Sequence, residues 1–247
     1  MNLRKKIFSS IVLCLILGTS NVYATENSSS EVLEVGGITE GQQAIDNIER
    51  SFEVKTPEEC IDISQIHEMP VNPELDDVTV FDINDAKVSL MPVSGYEHAY
   101  DSDYWSTYTK YANCYAYMLN VYSEKNHKLQ PGELAGSPVT RCTKEDIIAG
   151  VKKDMSYLDK SIRTSTYSEK PGVREYKVAL VIDPLGLDYH WYRQDSNAYW
   201  SHKRGLKAIS NVDASQDTIP DPKTCDRDYG LFSNDYSEWC GYYIISY

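Results

Sequence analysis

Residues 176–194 read Tyr-Lys-Val-Ala-Leu-Val-Ile-Asp-Pro-Leu-Gly-Leu-Asp-Tyr-His-Trp-Tyr-Arg-Gln, and the fold turns on this stretch. Apart from Lys177, Tyr176 to Ile182 is one apolar, β-branched run. Such a run predicts a strand buried on both faces. Asp183-Pro184 stops it, because proline has no N–H to continue a ladder. Two aromatic-rich runs follow, His190 to Gln194 and Tyr199 to Lys203, and the turn-forming Asp195-Ser-Asn-Ala198 between them predicts a hairpin. Its register stays open. A loop of residues 195–197 places His190 opposite His202 on one face. A loop of residues 195–198 turns His202 to the other face and leaves Ser201, Asp195 or Asn197 beside His190. Trp239 to Ile245 reads as a last strand.

Upstream the period changes. Asn113 can cap a helix running from Cys114 to about Ser123, with Tyr115, Leu119 and Tyr122 on one side. Thr143-Lys-Glu-Asp146 forms a capping box ahead of Ile147, Ile148, Val151, Met155 and Leu158. Val78 to Phe81 and Val88 to Met91 read as short strands, and Gln42 to Phe52 as a short helix. Helices first and an antiparallel sheet afterwards make an α+β layout, with the helix that carries Cys114 packed on the sheet.

The first 24 residues have the form of an export signal: Arg4, Lys5 and Lys6, an apolar run from Ile7 to Leu17, and Val22-Tyr23-Ala24 as a cleavage site. Residues 25–75 are polar and read as a flexible lead-in or a pro-segment, leaving 76–247 as the folded domain. The net charge is −13, and the leader holds three cations and no acid, so the remainder stands at −16. Such a surface repels phosphate backbones, which argues against nucleic acid as a partner. No run after the leader is long enough to cross a membrane. Five cysteines follow the leader: Cys60, Cys114, Cys142, Cys225 and Cys240. An odd number in an exported chain leaves at least one unpaired. With Cys114 free, Cys225 and Cys240 close a short loop and Cys60 is left with Cys142; the alternative is that none pair. Neither close CxxC spacing nor HExxH occurs, so no metal or other cofactor is implied.

The chemistry centres on Cys114. A thiol in the first turn of a helix sits where unpaired N–H groups favour the thiolate, and its own N–H can stabilise an oxyanion. His190 opens a strand directly after a buried strand, where a base is held rigidly. His202, twelve residues further on, is placed to orient the imidazole. Asn113, Tyr111 and Trp191 flank these groups as substrate-contacting residues. The competing reading is a buried apolar cysteine and a core histidine with its ring satisfied.

A helix-start cysteine, a strand-start histidine and a polar residue about a dozen positions on resemble the NlpC-type and CHAP branches of the papain-like cysteine hydrolases. The strings that carry the resemblance are Asn113-Cys-Tyr-Ala-Tyr117, Gln130-Pro-Gly-Glu133, His190-Trp-Tyr-Arg-Gln-Asp-Ser196 and Trp200-Ser-His-Lys203. The resemblance covers about residues 105–247. It implies a secreted peptidase or amidase that attacks a peptide, protein or cell-wall amide through an acyl-enzyme on Cys114. The chain departs from the NlpC pattern in having Asn113 and Tyr115, not Asp and Ser, around the cysteine. The alternatives are a non-catalytic binding or toxin module, and a toxin-like deamidase or transglutaminase using the same pair.

Overall fold

The computed structural model describes residues 49–69, 91–230 and 235–247. The leader, most of the expected helix over 42–52, and the strands expected from Val78 and from Val88 as far as residue 90 lie outside the described residues. Of the helix expected over 42–52, Arg50 to Phe52 are described and are not helical.

The α-helices among the described residues are α1 (Ser102–Ser106), α2 (Cys114–Leu119) and α3 (Lys144–Met155), with short 3-10 turns at Pro57–Glu59, Ile63–Gln65 and Thr109–Tyr111. The strands are β1 (Ile66–Glu68), β2 (Val121–Ser123), β3 (Ser161–Ser165), β4 (Glu175–Ile182), β5 (Tyr189–Gln194), β6 (Trp200–Lys203), β7 (Ile209–Ser210) and β8 (Glu238–Ser246). β1 and β2 form a small antiparallel pair. The other six form one sheet in the order β3-β8-β4-β5-β6-β7, antiparallel at every junction.

This corrects the α+β, papain-like expectation. The architecture is mostly β-sheet, and among the described residues no N-terminal helix packs on it. The helix expected over 114–123 is a short mid-chain turn of six residues. It ends because Asn120 takes the left-handed conformation at its C-cap (φ 59°), a geometry asparagine tolerates, and β-favouring Val121-Tyr122-Ser123 then pairs with β1. The longer helix α3 does form where expected. Asp146 N–H donates to the Thr143 hydroxyl at 3.3 Å, and Ile147, Val151 and Met155 are buried.

The sheet has two apolar faces. Tyr176, Val178, Leu180 and Ile182 of β4 join Tyr189 and Trp191 of β5 in a cluster with all of α2 and with Ile147, Val151 and Met155 of α3. Ala179, Val181, Tyr192 and Trp200 join Ile219, Tyr236 and Tyr242 in a second cluster on the opposite face. β4 is therefore buried on both faces, as its apolar run from Val178 to Ile182 requires. β8 bulges opposite Leu180 and Val181, since Gly241 pairs with Leu180 and Trp239 with Val181, leaving Cys240 as the extra residue.

Candidate functional site

The β5–β6 hairpin uses a longer loop than either expected register. Tyr192 pairs with His202, Arg193 with Ser201 and Gln194 with Trp200, so residues 195–199 make the turn, closed by Asp195 N–H to the Tyr199 carbonyl at 2.8 Å. His202 lies two residues along from His190, and parity keeps both on the same face. Their rings meet at 2.8 Å, His190 Nε2 to His202 Nδ1. His202 Nε2 lies 3.0 Å from the Val212 carbonyl, which can only accept. His202 therefore carries its proton on Nε2 and accepts from His190 on Nδ1. This leaves His190 Nδ1 as a bare, buried acceptor with no partner among the described residues. Burial holds both rings neutral: it drives His190 well below the usual histidine range, helped by His202, and His202 down to about 4.

Cys114 is elsewhere. Its Sγ points to the Tyr189 carbonyl at 3.9 Å, and the whole residue is buried within the cluster that holds Tyr189 and Trp191. Alternation along β5 sends Tyr189 and Trp191 to one side of the sheet and His190 to the other, where its ring stacks on Tyr236 at 5.0 Å. The structure brings His190 and His202 together and does not bring Cys114 to either. Burial pushes the Cys114 thiol up to about 12, against the lowering effect of the nearby Ser51 hydroxyl. Six residues of helix do not offset that desolvation.

The expected substrate-contacting residues scatter. Asn113 is buried and held in place: its side-chain oxygen accepts from Ala116 N–H at 3.1 Å and its amide donates to the Leu129 carbonyl at 2.8 Å. Trp191 is buried, with its ring edge on Tyr243 at 5.8 Å. Tyr111 is 37% exposed and lies outside the core.

All five described cysteines are free, so neither expected disulfide is present. Cys225 packs against the Tyr192 cluster and Cys240 within the Trp191 cluster, on opposite sides of the sheet, out of bonding reach. Cys60 lies near Lys55 and Glu133, whereas Cys142 lies near Asp188, Cys114 and Cys240. Among the described residues no group of three or more His, Cys, Asp or Glu is arranged to hold a metal.

What gathers around Cys114 instead is a strap from the arm of residues 49–69. Asp188 accepts from Ser51 N–H at 3.1 Å and Phe52 N–H at 2.6 Å. The Gln130 side chain donates to the Ser51 carbonyl at 2.6 Å and accepts from Glu53 N–H at 3.1 Å. Phe52 sets its ring against Tyr189 edge-on at 6.1 Å. Further along, Lys55 Nζ reaches Glu133 at 3.1 Å and the Lys128 carbonyl at 2.6 Å, and Ile61 N–H donates to Glu133 at 2.8 Å. Burial pushes the Glu133 carboxyl up, but His127 and Lys55 outweigh it and hold the group below the usual range. Burial raises Asp188 to about 6, against the lowering effect of its hydrogen bonds from Tyr236, Phe52 and Ser51. Gln130-Pro-Gly-Glu133 is the turn that seats the arm; Gly132 has φ 84°, and a Cβ there would lie 2.3 Å from the Ser137 carbonyl oxygen. Sequence reasoning missed Asp188, Gln130 and Glu133 as a set. A buried carboxylate after a turn and a Gln-Pro-Gly-Glu string were visible, but no local signal joined them to Ser51.

No protein-family profile matches the chain, and no solved structure matches it significantly. It is similar to insoluble matrix shell protein 1 of Ruditapes philippinarum, with 36% identity over 129 residues, 52% of this chain and 78% of that protein. No described helix is long and apolar enough to cross a membrane. At that identity and coverage, the chain belongs to the family of the insoluble matrix shell protein.

Proposed function

We propose that this is a secreted, non-catalytic module that serves an extracellular matrix, and not a cysteine hydrolase. The observation that carries the reading is the separation of Cys114 from His190 by the sheet itself. A general base must come within hydrogen-bond reach of its nucleophile, directly or through one water. Here Cys114 of α2 lies against one side of β5 and His190 projects from the other, and reversing that would move every side chain of the strand to the wrong face. A thiol raised to about 12 is also a poor nucleophile at neutral pH. The family relationship to a protein named for an insoluble shell matrix supports the same reading, as do the leader-like start and the net charge of −13.

The test uses the purified full-length secreted chain. Iodoacetamide labelling at pH 7, mapped by peptide mass spectrometry, is expected to leave Cys114 unlabelled until urea unfolds the protein. In parallel, the secreted chain is expected to partition into the insoluble extracellular fraction, in the wild type and in Cys114→Ala alike. Fast native labelling of Cys114 that disappears in His190→Ala would restore the hydrolase and remove the matrix reading.

A further inference from the structure

We propose that the slot between Asp188 and Gln130 is an acceptor for an extended peptide, and that the Ser51–Glu53 strap of a second copy fills it, linking one molecule to the next. The purpose assigned to this exchange rests on the matrix reading above; its geometry does not.

Recognition in the slot is of main chain. Asp188 takes two successive N–H groups, while the Gln130 amide both donates and accepts, as a neighbouring strand would. With the strap in place both side chains are completely buried, so each is committed to the strap and not to solvent. Side-chain preference comes from what flanks the strap. Ser51 is buried beside Cys114, Phe52 meets Tyr189, and Glu53 pairs with Lys128 at 2.9 Å. The ligand class is an extended peptide carrying a small, an aromatic and an acidic residue in succession.

No covalent bond holds the strap in place, and each contact would form unchanged with the strap of another copy. Exchange of an identical element conserves all native interactions. What opposes it is the high effective concentration of the tethered strap, which a dense matrix offsets.

The experiment places a thiol on the strap. Full-length Ser51→Cys/Cys114→Ala is mixed with wild type under oxidised glutathione, and peptide mass spectrometry looks for a bond between position 51 of one chain and Cys114 of the other. The expected result is an interchain bond that increases with protein concentration and is suppressed by excess free peptide of residues 49–55. Ser51→Cys alone serves as the cis control. If it forms the bond within one chain while the mixture forms none at any concentration, the exchange is overturned. Should the variants not fold, a labelled peptide of residues 49–55 is added to wild type. Binding that Phe52→Ala in the peptide abolishes supports the slot, and no binding overturns it. Partition into the insoluble fraction without an interchain bond would remove the exchange and keep the matrix reading. An interchain bond in a protein whose Cys114 labels fast and needs His190 would do the reverse.

Discussion

At the scale of single residues, burial decides the chemistry. His190 and His202 hold neutral rings because charge is expelled from the sheet face. For a base with a lowered folded pKa, stability is complete above the unfolded value and is lost as pH falls toward the folded one. For His202 that window runs from 6.5 down to about 4. Each unit of pH within it costs about 1.4 kcal/mol per group. The predicted difference is that His202→Gln flattens the acid limb of stability against pH relative to wild type. It is read from urea midpoints between pH 7 and 4; parallel curves would rule it out. Asp188 makes a second residue-scale case. Ser51 N–H, Phe52 N–H and the Tyr236 hydroxyl all donate to it. Asp188→Ala strands these donors and is expected to destabilise the fold by about 3–5 kcal/mol, measured by equilibrium unfolding.

At the scale of elements, turns and cross-element networks position the arm and the hairpin. The Gln130–Glu133 turn depends on Gly132, whose positive φ and 2.3 Å approach to Ser137 exclude a side chain. Gly132→Ala is expected to cost about 2 kcal/mol or more and to loosen the arm, read as faster amide exchange at Ser51 and Phe52. The hairpin is tied to α2 by a buried network. Arg193 donates to the Tyr117 hydroxyl at 3.0 Å, Ser201 donates to Asp195 at 2.8 Å, and Tyr117 and Ser201 share a hydrogen bond of 2.7 Å. Arg193 also lies 3.7 Å from Asp195 and 4.1 Å above the Tyr117 ring. Burial raises Asp195 to about 7 although Arg193 pulls it down. Removing the cation alone leaves a buried acid without its partner. Arg193→Met is thus expected to cost about 3–5 kcal/mol, and Arg193→Met with Asp195→Asn less than the single change. A loss in the double variant equal to the sum of the two single losses would mean the two groups are not coupled.

At the scale of the whole molecule, the acidic charge acts on everything at once. A net charge of −13 makes the compact state repel itself, and salt screens that repulsion over about 10 Å at 0.1 M. The melting temperature of the full-length chain is expected to rise between 10 and 200 mM NaCl, and a fall would show that attractive surface pairs dominate instead. The same screening lets acidic molecules approach closely enough for the strap exchange, so interchain bonding should also increase over that range.

Much of the local structure was legible in the chain. The Tyr176–Ile182 run announced β4, Thr143 announced the start of α3, and turn residues at 195–198 announced the hairpin, because each signal is satisfied by neighbours in sequence. Strand parity was legible as well: His190 and Trp191 had to point to opposite faces. What the sequence could not say is which face α2 would cover. All six residues of β5 are buried, so alternation carried no difference between an inner and an outer side. Asp188, Gln130 and Ser51 likewise come together only through long-range packing, from positions 51, 130 and 188. The separation of Cys114 from His190 was decided by tertiary structure, because only packing on both faces of the sheet chose which side each would face.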